Sequence, residues 1–309
     1  MHQLTMESVT KRYGQHVVLD NLSFAVEPGR VTGFLGPNGS GKSTAMKILL
    51  NLASADNGRA LVGESLYHKL DYPLRRVGAI LESNAFHPGR SARNHLRIVA
   101  DGAGIPKSRI DELLQLVGLA DAADRHVGEY SLGMRQRLGL AVALLGDPPI
   151  LVLDEPGNGL DPAGMRWLRD LLRSRATDGG TILVSSHLLA EMEQLADDLV
   201  VIRQGRLVAT GTVSDLRSGA TAVLVRTPSP DPLFPLLQAA GATVEADDHG
   251  GLIVRGLSAA EIGDRANTAG IALHELATRS ESLEDLFLAW TGSNVSAESG
   301  EIAREEVSL

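Results

Sequence analysis

The chain has no cysteine, and only 4% of its residues are aromatic. Without thiols it forms no disulfide, holds no thiolate metal site and does no thiol chemistry, which agrees with a cytoplasmic setting. Long apolar runs are lacking as well. The longest stretch, Leu138 to Leu153, is broken by Asp147, Pro148 and Pro149. No segment therefore reaches the roughly 18 uninterrupted apolar residues that a membrane-spanning helix needs. Met1 to Glu7 shows no basic segment followed by an apolar core, so no secretory signal is visible. Positive charge is short too. A net charge of −9 argues against a nucleic-acid partner, which would require a basic footprint. What remains is an ordinary globular composition, 309 residues and 43% hydrophobic, enough for one large domain and a smaller one.

Alternation of apolar and polar residues predicts strands over Leu4 to Val9 and Val17 to Val26, joined by a Tyr13-Gly14-Gln15 turn. A short buried strand, Val31 to Leu35, runs into a glycine-rich loop and a helix from Lys42 to Asn51. A strand near Arg59 to Val62 follows. Helical periodicity then extends from about Arg90 to Asp124, interrupted at Gly102 to Pro106. From Ile150 the chain alternates: strand to Leu153, helix Ala163 to Ala176, strand Thr181 to Ser185, helix Leu188 to Ala196, strand Leu199 to Arg203. That succession predicts a mainly parallel sheet flanked by helices, with Gly205 to Gly211 as a small closing hairpin.

Composition shifts near Ser218-Gly219. Beyond it the order is strand Ala222–Arg226, helix Leu233–Ala240, strands Thr243–Ala246 and Leu252–Val254, helix Ala259–Ala269 and strand Leu273–Ala277. This β-α-β-β-α-β order is that of a ferredoxin-like α+β module. A helix over Ser282 to Trp290 closes it, and the polar, acidic tail from Ser293 to Leu309 reads as disordered.

The chemistry concentrates in two places. Gly36-Pro37-Asn38-Gly39-Ser40-Gly41-Lys42-Ser43-Thr44 matches G-x-x-x-x-G-K-[ST], with a strand before it and a helix after. Small residues let the backbone curl until its N–H groups face phosphate oxygens, and the helix N-terminus adds partial positive charge. Lys42 would reach the β- and γ-phosphates, and the Ser43 hydroxyl would ligate Mg²⁺. The second place is Ile150-Leu151-Val152-Leu153-Asp154-Glu155, an apolar strand ending in two carboxylates. A strand parallel to the one before the loop would carry Asp154 to the metal and Glu155 to the attacking water, whose proton it accepts or orients.

Three further features narrow the class. Ser131-Leu132-Gly133-Met134-Arg135-Gln136-Arg137 opens a helix and resembles the signature of ABC ATPases, usually Leu-Ser-Gly-Gly-Gln. Gly159-Leu160-Asp161 resembles their D-loop, and His187, just past a strand, their switch histidine. Order and spacing match that family over about residues 3 to 217. The resemblance implies an α/β P-loop fold with a RecA-like core, an antiparallel β subdomain and a helical subdomain at about 83–140. It further implies ATP as ligand, sandwiched in a head-to-tail pair between Lys42 of one subunit and Ser131 and Gly133 of the other, with Asp161 alongside. Ser131 also reads simply as a helix N-cap. Tyr13 stands where the family places an aromatic against adenine, or serves only its turn. In the family His187 senses the γ-phosphate and, with Glu155 and Lys42, makes up the catalytic set.

Departures accompany the match. The family's usual glutamine ahead of the helical insertion is Glu82 here, a carboxylate that could also ligate Mg²⁺. Leu132 and Met134 replace two signature residues, and Gly157 stands where Thr or Ser is common. Glu281-Ser282-Leu283-Glu284-Asp285-Leu286-Phe287-Leu288-Ala289-Trp290-Thr291-Gly292 resembles the ending of daunorubicin-resistance and bacitracin-type subunits. It also suits a packing helix. That resemblance implies an ABC-2-type exporter ATPase with a separately encoded permease, seated on the inner face of the cell membrane. On this reading residues 1–217 form the ATPase domain, 218–292 an accessory module and 293–309 the tail. The alternative is a non-transport ABC ATPase of translation or DNA repair. Such proteins join two ATPase domains or insert a coiled coil, and neither is visible.

Overall fold

The computed structural model describes residues 2–81, 86–219, 221–247, 250–280 and residue 287. The chain begins with β1 (Leu4–Tyr13), β2 (His16–Val26), β3 (Arg30–Leu35), α1 (Lys42–Leu49), β4 (Asn57–Val62) and β5 (Val77–Ile80). Three helices follow, α2 (Ala92–Ala103), α3 (Ser108–Leu116) and α4 (Leu132–Ala143). Alternation resumes with β6 (Ile150–Asp154), α5 (Pro162–Thr177), β7 (Thr181–Ser186), α6 (Leu189–Leu195), β8 (Asp198–Arg203) and β9 (Arg206–Thr212). After α7 (Val213–Gly219) come β10 (Thr221–Arg226), α8 (Pro230–Ala239), β11 (Thr243–Ala246), β12 (Leu252–Arg255), α9 (Ala259–Thr268) and β13 (Glu275–Ser280).

The central sheet has the order β5-β6-β7-β3-β8-β9, parallel except for β9, which runs antiparallel to β8. Successive side chains of a strand point to opposite faces, and these strands are apolar on both. Leu151, Leu153, Ile182, Val184, Leu199 and Val201 face one core with α2 to α6. Ile150, Val152, Leu183, Val200 and Ile202 face another, shared with α1 and the three-stranded antiparallel sheet β2-β1-β4. Each such buried Val, Leu or Ile contributes about 1.5–3 kcal/mol, so the two-sided pattern fixes the sheet's position in the molecule.

Two features of this sheet are not specified by the sequence pattern. Val77–Ile80, to which that pattern assigns no strand, pairs with β6 as an edge strand. Strand β6, which ends in Asp154, runs parallel to β3 with β7 between them.

Residues 221–280 form their own sheet, β11-β12-β10-β13, all antiparallel, with α8 and α9 packed through Val223, Val225, Leu233, Leu237, Val254 and Ile262. The order is that of a ferredoxin-like module. Helix α8 starts three residues earlier than expected because Pro230 occupies its first turn, where a missing N–H is harmless. Strand β13 starts later than expected. Arg226 pairs with Glu275 in register, and their side chains meet at 2.9 Å. Most of the expected closing helix lies outside the described residues; Phe287 is half-buried against the first core. Among the described residues no helix is long and apolar enough to cross a membrane.

Candidate functional site

The C-terminal ends of β3, β6 and β7 bring the chemistry together, as open parallel sheets generally do. After Leu35 the chain curls through Gly36 to Gly41 and enters α1 at Lys42. Gly41 holds φ at 106°, and a Cβ there would lie 2.6 Å from Leu19 Cδ2 and 2.8 Å from the Val18 carbonyl. Only glycine lets the loop pass this close to β2. The loop is also anchored by Gly205 N–H donating to the Ser40 carbonyl at 2.9 Å. The N–H groups of Gly39, Gly41, Lys42 and Ser43 have no backbone acceptor among the described residues, the arrangement an anion cradle requires. Asn38, Gly39 and Ser43 are exposed, and Thr44 is half-buried. Lys42 is buried, donating to the Gly36 carbonyl at 2.6 Å and the Pro37 carbonyl at 3.3 Å. Burial pushes its pKa below the ordinary lysine value, against the opposing pull of the Glu155 and Asp154 charges.

Strand β6 delivers the carboxylates and β7 fixes them. Ser185, fully buried on β7, donates through its hydroxyl to Asp154 Oδ1 and accepts from Glu155 N–H at 2.9 Å. Glu155 adopts a positive φ of 49°. His187 Nδ1 lies 2.9 Å from Glu155 Oε1 and 2.8 Å from Oε2, and Asn158 Nδ2 donates to Oε2 at 2.9 Å. The base candidate is thus held by two partners within hydrogen-bond reach, the pattern of an oriented acid–base group. Protonated Nδ1 donates to the carboxylate and leaves the other ring nitrogen free for a second contact.

The other candidates lie on other elements. Tyr13 is at the tip of the β1–β2 hairpin, 54% exposed, with Lys11 Nζ 5.1 Å from its ring centroid. Ser131 caps α4, accepting from Met134 N–H at 3.2 Å, and Asp161 caps α5, accepting from Gly164 N–H at 2.9 Å. Gly133 abuts the D-loop segment: a Cβ on it would sit 2.5 Å from the Gly159 carbonyl. Glu82 lies outside the described residues. Ser185, Asn158 and Gln136 were not anticipated. The first two sit beside motif residues, and Gln136 is a buried polar residue inside the signature helix, 1% exposed.

A family model described as ABC transporter matches residues 19–158, and a domain of unknown function matches residues 221–284. The lantibiotic transport ATP-binding protein SrtF of Streptococcus pyogenes is 40% identical over 205 residues, 66% of this chain and 89% of its own. The daunorubicin resistance ATP-binding protein DrrA3 of Streptomyces coeruleorubidus is 34% identical over 311 residues, covering 94% of this chain and 96% of its own. The chain belongs to the ABC transporter ATP-binding family. A solved structure of an ATP-binding subunit of an ABC transporter agrees, with a TM-score of 0.64 and 28% identity over 69% of this chain and 91% of that one. This ABC ATPase binds ATP and hydrolyses it to power transport. The similarity to DrrA3 runs nearly end to end and so takes in residues 221–280, whereas that to SrtF covers about two thirds of the chain.

Proposed function

We propose that this ABC ATPase is the energy-coupling subunit of an ABC-2-type exporter for a drug, antibiotic or peptide. Two copies pair head to tail around ATP, on the inner face of the membrane and against a separately encoded permease. The relatives named for daunorubicin resistance and lantibiotic transport support the export class. The observation that carries the catalytic part is the gathering of Lys42, Asp154, Glu155 and His187 at the ends of three parallel strands. Residues 1–217 act as the ATPase domain, 218–292 as an accessory module and 293–309 as a tail.

The donor chemistry suits Mg²⁺ arriving with nucleotide. No cluster of three or more His, Cys, Asp or Glu able to hold a metal exists among the described residues. The loop instead offers an exposed hydroxyl, Ser43, and β6 offers one carboxylate, Asp154. Mg²⁺ is commonly bound by one or two protein groups plus phosphates and water. Ser43 and Asp154, with Glu82 as a further candidate, would hold it, and it would neutralise phosphate charge. The loop amides, with Gly36, Asn38, Ser40 and Thr44, cradle the phosphates, while Tyr13 stacks on the base. Lys42 moves its ammonium from the Gly36 carbonyl to phosphate oxygen. Glu155 orients water and accepts its proton, and His187 holds the carboxylate and reads the γ-phosphate. Ser131, Gly133 and Asp161 complete the partner's site. A groove of about 490 Å³ lined by Leu52, Tyr67, Leu81, Phe86, His95 and Val142 receives a permease helix.

Glu155→Gln tests the assignment. The variant should bind ATP and dimerise by light scattering, while turnover falls roughly 10²–10⁴-fold, the usual share of general acid–base catalysis. Normal turnover would refute Glu155 as the base.

A further inference from the structure

Helix α4 presents Ser131 and Gly133 at its tip, and less than two turns further in it buries Gln136. The Gln136 Nε2 donates to the Glu155 carbonyl at 3.2 Å, and that carbonyl also accepts from Asn158 N–H at 3.2 Å. Glu155 needs such ties. It is a long acidic residue at φ 49°, a region non-glycine residues hold only when their surroundings impose it. Its N–H is fixed by Ser185 on one side and its carbonyl by Gln136 on the other. The Gln136 Oε1, meanwhile, is buried with no partner. A methionine would fill the same space without burying an unpaired amide oxygen. Packing therefore does not account for a glutamine here, whereas the donor does.

We infer that Gln136 is a positioning residue for Glu155, fastening the base of a subunit's own phosphate site to the helix whose tip completes the partner's. The inference rests on the head-to-tail reading only for the role of that tip. The tie itself lies within one chain.

Gln136→Met keeps the volume and removes the donor. Expected are ATP affinity within twofold of the parent, an undiminished Tm and a kcat lower by about 10–100-fold, the scale of a misplaced reacting group. Mixed dimers locate the effect. When one subunit carries Glu155→Gln, only the other turns over. Gln136→Met in the subunit retaining Glu155 should bring the full loss, and in the Glu155→Gln subunit less than a twofold loss. Equal losses in both arrangements, or none in either, overturn the inference. Gln136→Glu gives a second reading, since a carboxyl donates to a carbonyl only when protonated. Its turnover relative to the parent should rise as pH falls, and a flat ratio counts against the tie. Failure of the Glu155→Gln protein to dimerise with ATP would instead remove the head-to-tail reading.

Discussion

Replacing Lys42 by methionine should make the nucleotide-free protein more stable while abolishing its response to ATP. Lys42 buries an ammonium, and among the described residues no carboxylate forms a salt bridge with it. The effective penalty for burying one ion is several kcal/mol. Against this stand a short bond to the Gly36 carbonyl at 2.6 Å and a weaker one to Pro37 at 3.3 Å. Bonds from a charged donor return about 1.5–3 kcal/mol each, the longer one less. Methionine replaces the stem, so little packing is lost. Net of the attraction from the Glu155 and Asp154 charges, the balance favours the variant by about 1 kcal/mol, which for a domain of this size raises Tm by roughly 2–4 °C. ATP at a hundred times its Kd should stabilise the parent by about 2.7 kcal/mol and leave the variant unmoved. The pH dependence has a fixed sign. Because burial lowers the folded-state pKa of Lys42, the unfolded chain binds more protons between that value and the ordinary lysine value. The parent therefore gains stability as pH rises through the window, and the variant's advantage shrinks there. Thermal melts with and without ATP, at neutral and alkaline pH, read all three effects. A fall of several degrees in the nucleotide-free variant would refute the reasoning.

Gly133→Ala should cut steady-state ATP hydrolysis at least about tenfold with ATP binding intact, because its Cβ would lie 2.5 Å from the Gly159 backbone oxygen and must displace that loop. Unchanged turnover would mean the loop yields freely. Tyr13→Ala should raise KM for ATP by roughly 2–10-fold, the value of one aromatic stack, with Tm unaltered for a side chain 54% exposed. An unchanged KM in steady-state titrations removes Tyr13 from the base site.

The central strands were legible because both of their faces are buried. Ile150 to Leu153 and Thr181 to Ser185 stand out as short apolar runs between helical periods, and each pairs where the alternation implies. Strand order was not legible. Nothing local says that β7 enters between β3 and β6, since that contact joins residues about 150 positions apart in sequence. Edges were the weakest. Four residues of β5 carry too little pattern to read as a strand, and the first turn of α8 is hidden by Pro230 and Pro232, which precede the expected helix start. Within the site, the phosphate loop and the paired carboxylates were readable because their backbone shapes demand local residue types. The Ser185 and Gln136 ties were not, because each acts on Glu155 from a separate element and is chemically unremarkable in its own segment.

At the signature the sequence left a choice between helix cap and anion site, and the geometry makes the two compatible. Ser131 accepts from Met134 N–H with one lone pair, and its hydroxyl proton is not used by that bond. A helix exposes several N–H groups at its start, and this cap takes only one. The amides of Leu132 and Gly133 find no backbone acceptor among the described residues. Capping therefore holds the first turn of α4 in shape and leaves donors for an oxyanion brought from outside. Asp161 differs. Its cap also uses one oxygen, but a carboxylate adds negative charge and no donor, so it suits water or a cationic side chain rather than phosphate. Chemistry thus separates two residues that sequence reasoning had grouped as nucleotide ligands. Ser131 can meet a triphosphate directly, and Asp161 can act there only through an intermediary.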